Sequence, residues 1–187
     1  MAMDPLRMRL DRAKTALMVV DLQERMVAAM DPKLVPRMFN RVRALLEGAK
    51  AMGLRVVVTE QYPQRLGHTV AEVSAALPEG LAAIEKLEFS AAVPAAMERL
   101  GDRPQVLICG VESHVCVFQT ARDLLERDFV PYLCADAILS RTPEDRAIGL
   151  ERARDLGAVI TTTESALFDL LGKAGTPEFK RVSAAVK

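Results

Sequence analysis

The stretch Gln105-Val106-Leu107-Ile108-Cys109-Gly110-Val111-Glu112-Ser113-His114-Val115-Cys116-Val117 is an apolar run that stops at a glycine and sets a cysteine where a helix should begin. A thiol at a helix N-terminus lies in the positive end of the helix dipole. Unpaired backbone N–H groups beside it favour the thiolate and offer donors to an oxyanion. Cys116 is therefore a candidate nucleophile. Asp21 ends a second apolar run, Thr15-Ala16-Leu17-Met18-Val19-Val20, and Lys86 lies in Glu85-Lys86-Leu87-Glu88-Phe89-Ser90. All three fall at the C-terminal ends of predicted strands, where open parallel sheets put their binding crevices. Any one of them alone reads as ordinary: a cysteine as a small buried hydrophobe, an aspartate as a cap, a lysine as a solvated charge. Their shared placement gives them chemical meaning.

A thiol must lose its proton to attack a carbonyl carbon, so a base is needed. The chain has two histidines, His68 and His114. His68 lies in a predicted loop, and His114, two positions before Cys116, is expected to point away from the thiol. Asp21 is the better base. Lys86 beside Cys116 would stabilise the thiolate and hold Asp21 ionised, so the three groups should titrate as a coupled set. None of the three is expected in the core, so replacing them should alter stability little.

The elements that must position these residues alternate between short β-rich runs and longer segments of helical period, which points to βαβ units and a parallel sheet. Strands are expected at 16–20, 55–59, 105–109, 129–134 and 158–161, with a shorter one near 83–86. Leu34, Met38, Val42, Leu45, Leu46 and Ala49 make one apolar face, which predicts a helix over 34–52 with Gly53 as its stop. Further helices are expected at 91–100, 115–127, 143–156 and 164–171. Thr142-Pro143-Glu144-Asp145 supplies an N-cap and a proline at the first helical position. Residues 61–77 have little periodicity and contain Pro63 and Gly67, which predicts an active-site loop with a short helix near its end.

The 187 residues suit a single domain, 1–187, large enough to bury its own core. With 25 basic and 25 acidic residues the chain has no net charge, so neither nucleic acid nor an anionic membrane is an expected partner. No apolar run approaches the roughly 20 residues that span a bilayer. The first fifteen residues mix Arg7, Arg9, Arg12 and Lys14 with Asp4 and Asp11 and lack a signal peptide's apolar centre, so a cytoplasmic protein is expected. Cys109, Cys116 and Cys134 form neither a disulfide framework nor a zinc motif; Cys109 and Cys134 read as packing residues inside strands. With 4% aromatics and no tryptophan, a large planar substrate is not favoured.

Three blocks in this order carry a resemblance: Asp21 with Gln23; Lys86 with Phe89-Ser90; and Gly110 through Cys116-Val117 with Gln119-Thr120-Ala121. They resemble the signature blocks of the isochorismatase-like cysteine hydrolases, over about residues 15–171. The likeness to isochorismatase domain-containing proteins extends to Val58-Thr59-Glu60-Gln61-Tyr62-Pro63-Gln64, Asp136-Ala137, Ser140-Arg141 and Thr162-Thr163-Glu164. It implies a three-layer αβα fold with a mainly parallel sheet of about six strands, and a triad of Asp21, Lys86 and Cys116. It also implies a cis peptide between Val111 and Glu112, with the Glu112 and Cys116 N–H groups as an oxyanion hole. Gln23, Tyr62, Phe89 and Glu112 are expected to line the substrate pocket. The family's metal-binding nicotinamidases carry an aspartate and closely spaced histidines after the second strand. Here that stretch holds only His68 and Glu60, so no metal or other cofactor is expected.

The expected activity is hydrolysis of a small amide, ureido or related C–N bond through a Cys116 thioester. The rival is a redox-responsive or scaffold protein that keeps the pocket without significant hydrolysis, since a low-pKa accessible thiol also reacts with peroxide. A dinucleotide-binding dehydrogenase is excluded because Asp21-Leu22-Gln23-Glu24-Arg25 stands where a Gly-x-Gly-x-x-Gly should be. A homo-oligomer, dimer or tetramer, is expected from the apolar residues of the helix after Cys116 and of 136–141 and 161–171, which exceed what one sheet face needs.

Overall fold

A computed structural model describes residues 8–187; Asp4 and Arg7 of the N-terminal stretch lie outside the described residues. Six strands form one sheet: β1 (Thr15–Val20), β2 (Arg55–Gln61), β3 (Ile84–Lys86), β4 (Gln105–Val111), β5 (Val130–Leu139) and β6 (Val159–Thr161). Their order is β3-β2-β1-β4-β5-β6, and every neighbouring pair is parallel. The chain winds outward from β1 to β3, returns to β4 beside β1, and winds outward again to β6. The direction reverses between β1 and β4, so the crevice of an open α/β sheet belongs at their C-terminal ends.

Helices follow the strands as α1 (Glu24–Ala28), α2 (Val35–Met52), α3 (Pro63–Leu66), α4 (Ala71–Ser74), α5 (Pro94–Leu100), α6 (Phe118–Leu125), α7 (Pro143–Asp155), α8 (Thr163–Leu171) and α9 (Pro177–Ala185). The central strands are apolar throughout because both faces are covered, and successive side chains alternate between two cores. Leu17 and Val19 join one core with Val58, Leu107, Leu46 of α2 and Leu167 of α8. Ala16, Met18 and Val20 join the other with Ile108, Leu100 of α5, Leu124 of α6 and Ala153 of α7. A fully buried Leu in either layer is stabilised by about 1.5–3 kcal/mol through burial, and truncating Leu46 to Ala would cost about 2–5 kcal/mol. The result is the expected three-layer αβα fold, with a sheet that is wholly parallel.

Local signals explain the boundaries. Gly53 ends α2 in the left-handed conformation at φ 67°, and the Thr142 hydroxyl accepts the Asp145 N–H at 3.1 Å ahead of Pro143. Cys109 and Cys134 are fully buried packing residues, as expected. Three strands, β2, β4 and β5, run further than the apolar runs suggest. β2 continues through Glu60 and Gln61, and β5 passes Asp136 through an irregularity in its pairing with β4.

Gly110 is the sharpest difference: it does not stop β4 but sits within it at φ 124°. A Cβ on Gly110 would lie 2.0 Å from the Val20 carbonyl oxygen, so only glycine lets β1 and β4 pair here. Helices α1, α3 and α9 lie outside the helices expected from the sequence. The apolar surplus read in three segments is mostly absorbed by this chain's own cores, where Phe118, Ala121, Leu124, Ile138, Leu139, Leu167 and Leu170 are buried.

Candidate active site

Asp21 follows β1 immediately, in the left-handed region at φ 50°, a conformation that an aspartate tolerates better than most residues. It is fully buried, and both carboxylate oxygens are held. The Thr59 hydroxyl donates to Oδ1 at 2.8 Å, and Lys86 Nζ donates to Oδ2 at 2.7 Å. Lys86 ends β3, two strands away, and reaches across the end of β2. Its Nζ also meets Gln61 Oε1 at 3.0 Å and the Glu88 and Phe89 carbonyls at 3.1 and 3.2 Å. An ammonium has three N–H groups, so four oxygens satisfy it completely. Both side chains of the ion pair are without exposed surface, which corrects the expectation that neither belongs to the core.

Cys116 lies in the turn after β4. The Val111–Glu112 peptide is cis, and Ser113–Val117 form a π-helical turn before α6 begins at Phe118, where a regular α-helix over 115–127 was expected. The wider turn has two visible causes. The Val117 N–H reaches the Glu112 carbonyl at 3.1 Å, and α7 presses against the turn at Gly149, where a Cβ would lie 2.6 Å from the His114 nitrogen. Thr120 then ties the turn to the Lys86 loop: its hydroxyl donates to the Cys116 carbonyl at 2.6 Å and accepts the Ala91 N–H at 2.7 Å.

Cys116 is only 2% exposed, and its thiol lies close enough to the Asp21 carboxylate, the Lys86 ammonium and the Glu112 main chain for all three to act on its ionisation. Asp21, Lys86 and Cys116 are therefore brought together from the ends of three strands. The electrostatics differ from expectation. Burial, and then the Asp21 charge, push the Cys116 thiol up to about 12, against the opposing pull of Lys86 and the Glu112 N–H. The Cys116 thiol rests neutral, because one lysine and a helix N-terminus do not offset desolvation beside a carboxylate.

The remaining expected residues take different places. Glu112 is buried, with Oε2 accepting both the Arg141 main-chain N–H and Nε at 3.0 Å. Tyr62 donates its N–H to the Lys86 carbonyl, Phe89 lends its carbonyl to Lys86 Nζ, and both residues are about half exposed. Gln23, expected on the pocket wall, is fully buried and its amide bonds main chain. Nε2 donates to the Gln61 and Gly67 carbonyls at 2.9 and 2.7 Å, and Oε1 accepts the Gln61 N–H at 2.6 Å. It therefore pins the end of β2 to the 63–70 loop. His114 meets Ser140 Oγ at 3.2 Å, away from the thiol, as expected. His68 Nδ1 lies 3.0 Å from Glu60 Oε2, and this hydrogen bond raises the imidazole above its ordinary value.

The sequence profile of the isochorismatase domain matches residues 15–165, which span β1 through the start of α8. The chain belongs to the isochorismatase family of hydrolases. It is 40% identical over 174 residues to isochorismatase domain-containing protein 2 of Bos taurus, covering 91% of this chain and 82% of that one. It is 39% identical over 185 residues to a secreted isochorismatase effector, Isc1, of Phytophthora sojae, covering 96% and 87%. The solved structure of a protein named MAR1 ribonuclease from Caenorhabditis elegans superposes with a TM-score of 0.90 at 34% identity, covering 95% and 92%.

Within this isochorismatase fold, sequence reasoning missed Thr59, Gln61 and Thr120, which hold Asp21, Lys86 and Cys116 respectively. A signal for the first two existed. Thr59-Glu60-Gln61 is a polar triplet closing an apolar strand, and Thr59 pairs with Val20, the residue before Asp21. Among the described residues no group of three or more His, Cys, Asp or Glu is placed to hold a metal ion, and no helix is long and apolar enough to cross a membrane.

Proposed function

We propose that this isochorismatase-family hydrolase cleaves a small amide, ureido or related C–N bond through a thioester on Cys116. The observation that carries the reading is the placement of the buried Cys116 thiol beside the buried Asp21 carboxylate, itself fixed by Lys86 at 2.7 Å. Because the thiol rests neutral, ionisation and attack belong to one event. Asp21 takes the thiol proton as sulfur bonds to the carbonyl carbon. The carbonyl electrons move to oxygen, where the Glu112 and Cys116 N–H groups receive the charge; losing one such donor costs about 10²–10³ in rate. Asp21 returns the proton to the leaving nitrogen as the C–N bond breaks. Water, deprotonated by the same carboxylate, then opens the thioester and Cys116 regains its proton. No step needs a metal.

Retention of the thiol favours this chemistry over cleavage of a vinyl ether. A redox-sensing role fits poorly, because peroxide reacts with accessible thiolates and this thiol is neutral and buried. Phosphodiester cleavage, as the name of the nematode relative suggests for that protein, sits badly with a chain of zero net charge. The same reading places the protein in the cytoplasm, where three free, buried cysteines remain reduced.

The test is to incubate the enzyme with a panel of small amides and ureido compounds and to trap the acyl-enzyme by acid quench and mass spectrometry. A substrate-derived adduct on Cys116 is expected with at least one compound that also turns over. Turnover by Cys116→Ala at the wild-type rate would overturn the mechanism.

A further inference from the structure

A second cleft, of about 440 Å³, opens between the first turns of α2 and α7 and the end of β5, and its wall includes none of Asp21, Lys86 or Cys116. Three arginines line it, Arg37, Arg141 and Arg146, against two carboxylates, Asp31 and Asp136. Both carboxylates are engaged. Asp136 Oδ1 accepts the Thr163 N–H and hydroxyl while Oδ2 faces Arg41 Nε at 3.5 Å, and Asp31 Oδ1 accepts the Lys33 N–H at 2.9 Å. Arg146 is also engaged, donating to the Ile138 and Ala135 carbonyls.

The other two arginines are not satisfied in this way. Arg141 gives only its main-chain N–H and Nε to Glu112, and its terminal nitrogens have no partner among the described residues. Arg37 has no hydrogen-bond or ion-pair partner among them, and its charge is close enough to lower the pKa of Arg146, which burial lowers first. The N-terminal turns of two long helices add positive potential at the same opening. Between these charges the wall is apolar, with Leu34, Met38, Ile138, Leu139 and Pro143.

We infer that this cleft binds a small organic anion, a carboxylate carrying a short apolar or aromatic body. A guanidinium fork matches a carboxylate geometrically, the volume lies in the range of small-molecule sites, and the apolar wall requires more than an inorganic ion. The carboxylate sits between Arg37 and Arg141 and the body lies against Leu34 and Ile138. The cleft adjoins the hydrolytic centre through the Arg141–Glu112 pair but shares none of Asp21, Lys86 or Cys116, so it stands whether or not the thioester mechanism does.

An NMR titration of the full chain with benzoate, and with benzyl alcohol as the uncharged counterpart, decides it. Benzoate should bind saturably with a Kd of about 1 mM or below, and benzyl alcohol at least about tenfold more weakly. Arg37→Gln, a change at an exposed position, should weaken benzoate at least about tenfold, while Cys116→Ala should leave it unchanged. The inference is overturned if benzoate fails to saturate by about 10 mM. It is equally overturned by Arg37→Gln binding as wild type, or by Cys116→Ala abolishing binding, which would put the ligand in the hydrolytic centre.

Discussion

Lys86 Nζ and Asp21 Oδ2 form a 2.7 Å ion pair from which solvent is wholly excluded. A buried pair of this kind adds little net stability, yet removing one partner leaves a buried charge with no answer, at a cost of about 3–5 kcal/mol. Lys86→Ala should therefore destabilise the fold by that amount in urea denaturation and lower turnover by at least about 10². Asp21→Asn combined with Lys86→Met should cost less than the sum of the single changes. A Lys86→Ala stability within about 0.5 kcal/mol of wild type would mean that water reaches the pair.

The neutral thiol has two consequences for pH. With its pKa raised from 9.0 to about 12, Cys116 in the free enzyme should react with iodoacetamide at neutral pH about 10³-fold more slowly than an exposed cysteine. Above pH 9 the unfolded chain releases thiol protons that the native state keeps, so stability is intact below about pH 9 and falls as pH rises toward 12. Cys109 and Cys134, also raised by burial, act in the same direction. Denaturation midpoints that rise between pH 9 and 11 would contradict this assignment.

Gln23→Ala strips three main-chain partners at once and leaves the buried Gln61 N–H unsatisfied. A loss of about 1–3 kcal/mol is expected. Faster proteolytic cleavage within 63–70 should accompany it, since the amide ties that loop to β2. If Gln23 bound substrate instead, the variant would raise KM at unchanged stability.

Activity should survive dialysis against a strong chelator, and elemental analysis should find no stoichiometric transition metal. The one histidine near β2, His68, already answers Glu60 at 3.0 Å. That hydrogen bond raises the His68 pKa, so its contribution is full below about pH 6.5 and fades as pH rises through the folded value. A His68→Gln comparison across pH 5–8 reads this directly, and a tightly held zinc or iron whose removal stops turnover would overturn the metal-free reading.

A homo-oligomer is still expected, although on different residues. Leu87 and Phe89 are 71% and 55% exposed and stand with Tyr62 around the Lys86 loop, an apolar surface that a second copy would cover. Size exclusion with light scattering should give a multiple of 20.5 kDa, reduced in Leu87→Ser/Phe89→Ser. A mass of one chain at all concentrations would leave that surface to substrate or solvent.

Residues that sit at strand ends were legible, because the period that marks a buried strand also marks where it stops. That signal located Asp21, Lys86 and Cys116 and the order of layers around them. It could not reveal Gln23, since a side chain bonded to distant main chain leaves no periodic trace. Nor could it foresee the π-helical turn, whose width depends on α7 packing at Gly149, thirty-odd residues away in sequence. The thiol's ionisation was misread for a related reason. Dipole and lysine are visible along the chain, whereas desolvation belongs to the assembled core.

The glycine within β4 carries a further meaning. With no side chain at position 110, the strand that ends at Asp21 and the strand that leads to Cys116 touch main chain to main chain, and even one methyl group would collide with Val20. The gap between the Asp21 carboxylate and the Cys116 sulfur is thus a fixed dimension of the scaffold, like the bore of a machined part. Substitutions elsewhere can reshape what enters the crevice, but the reach of the chemistry itself is not adjustable without parting the sheet at its centre.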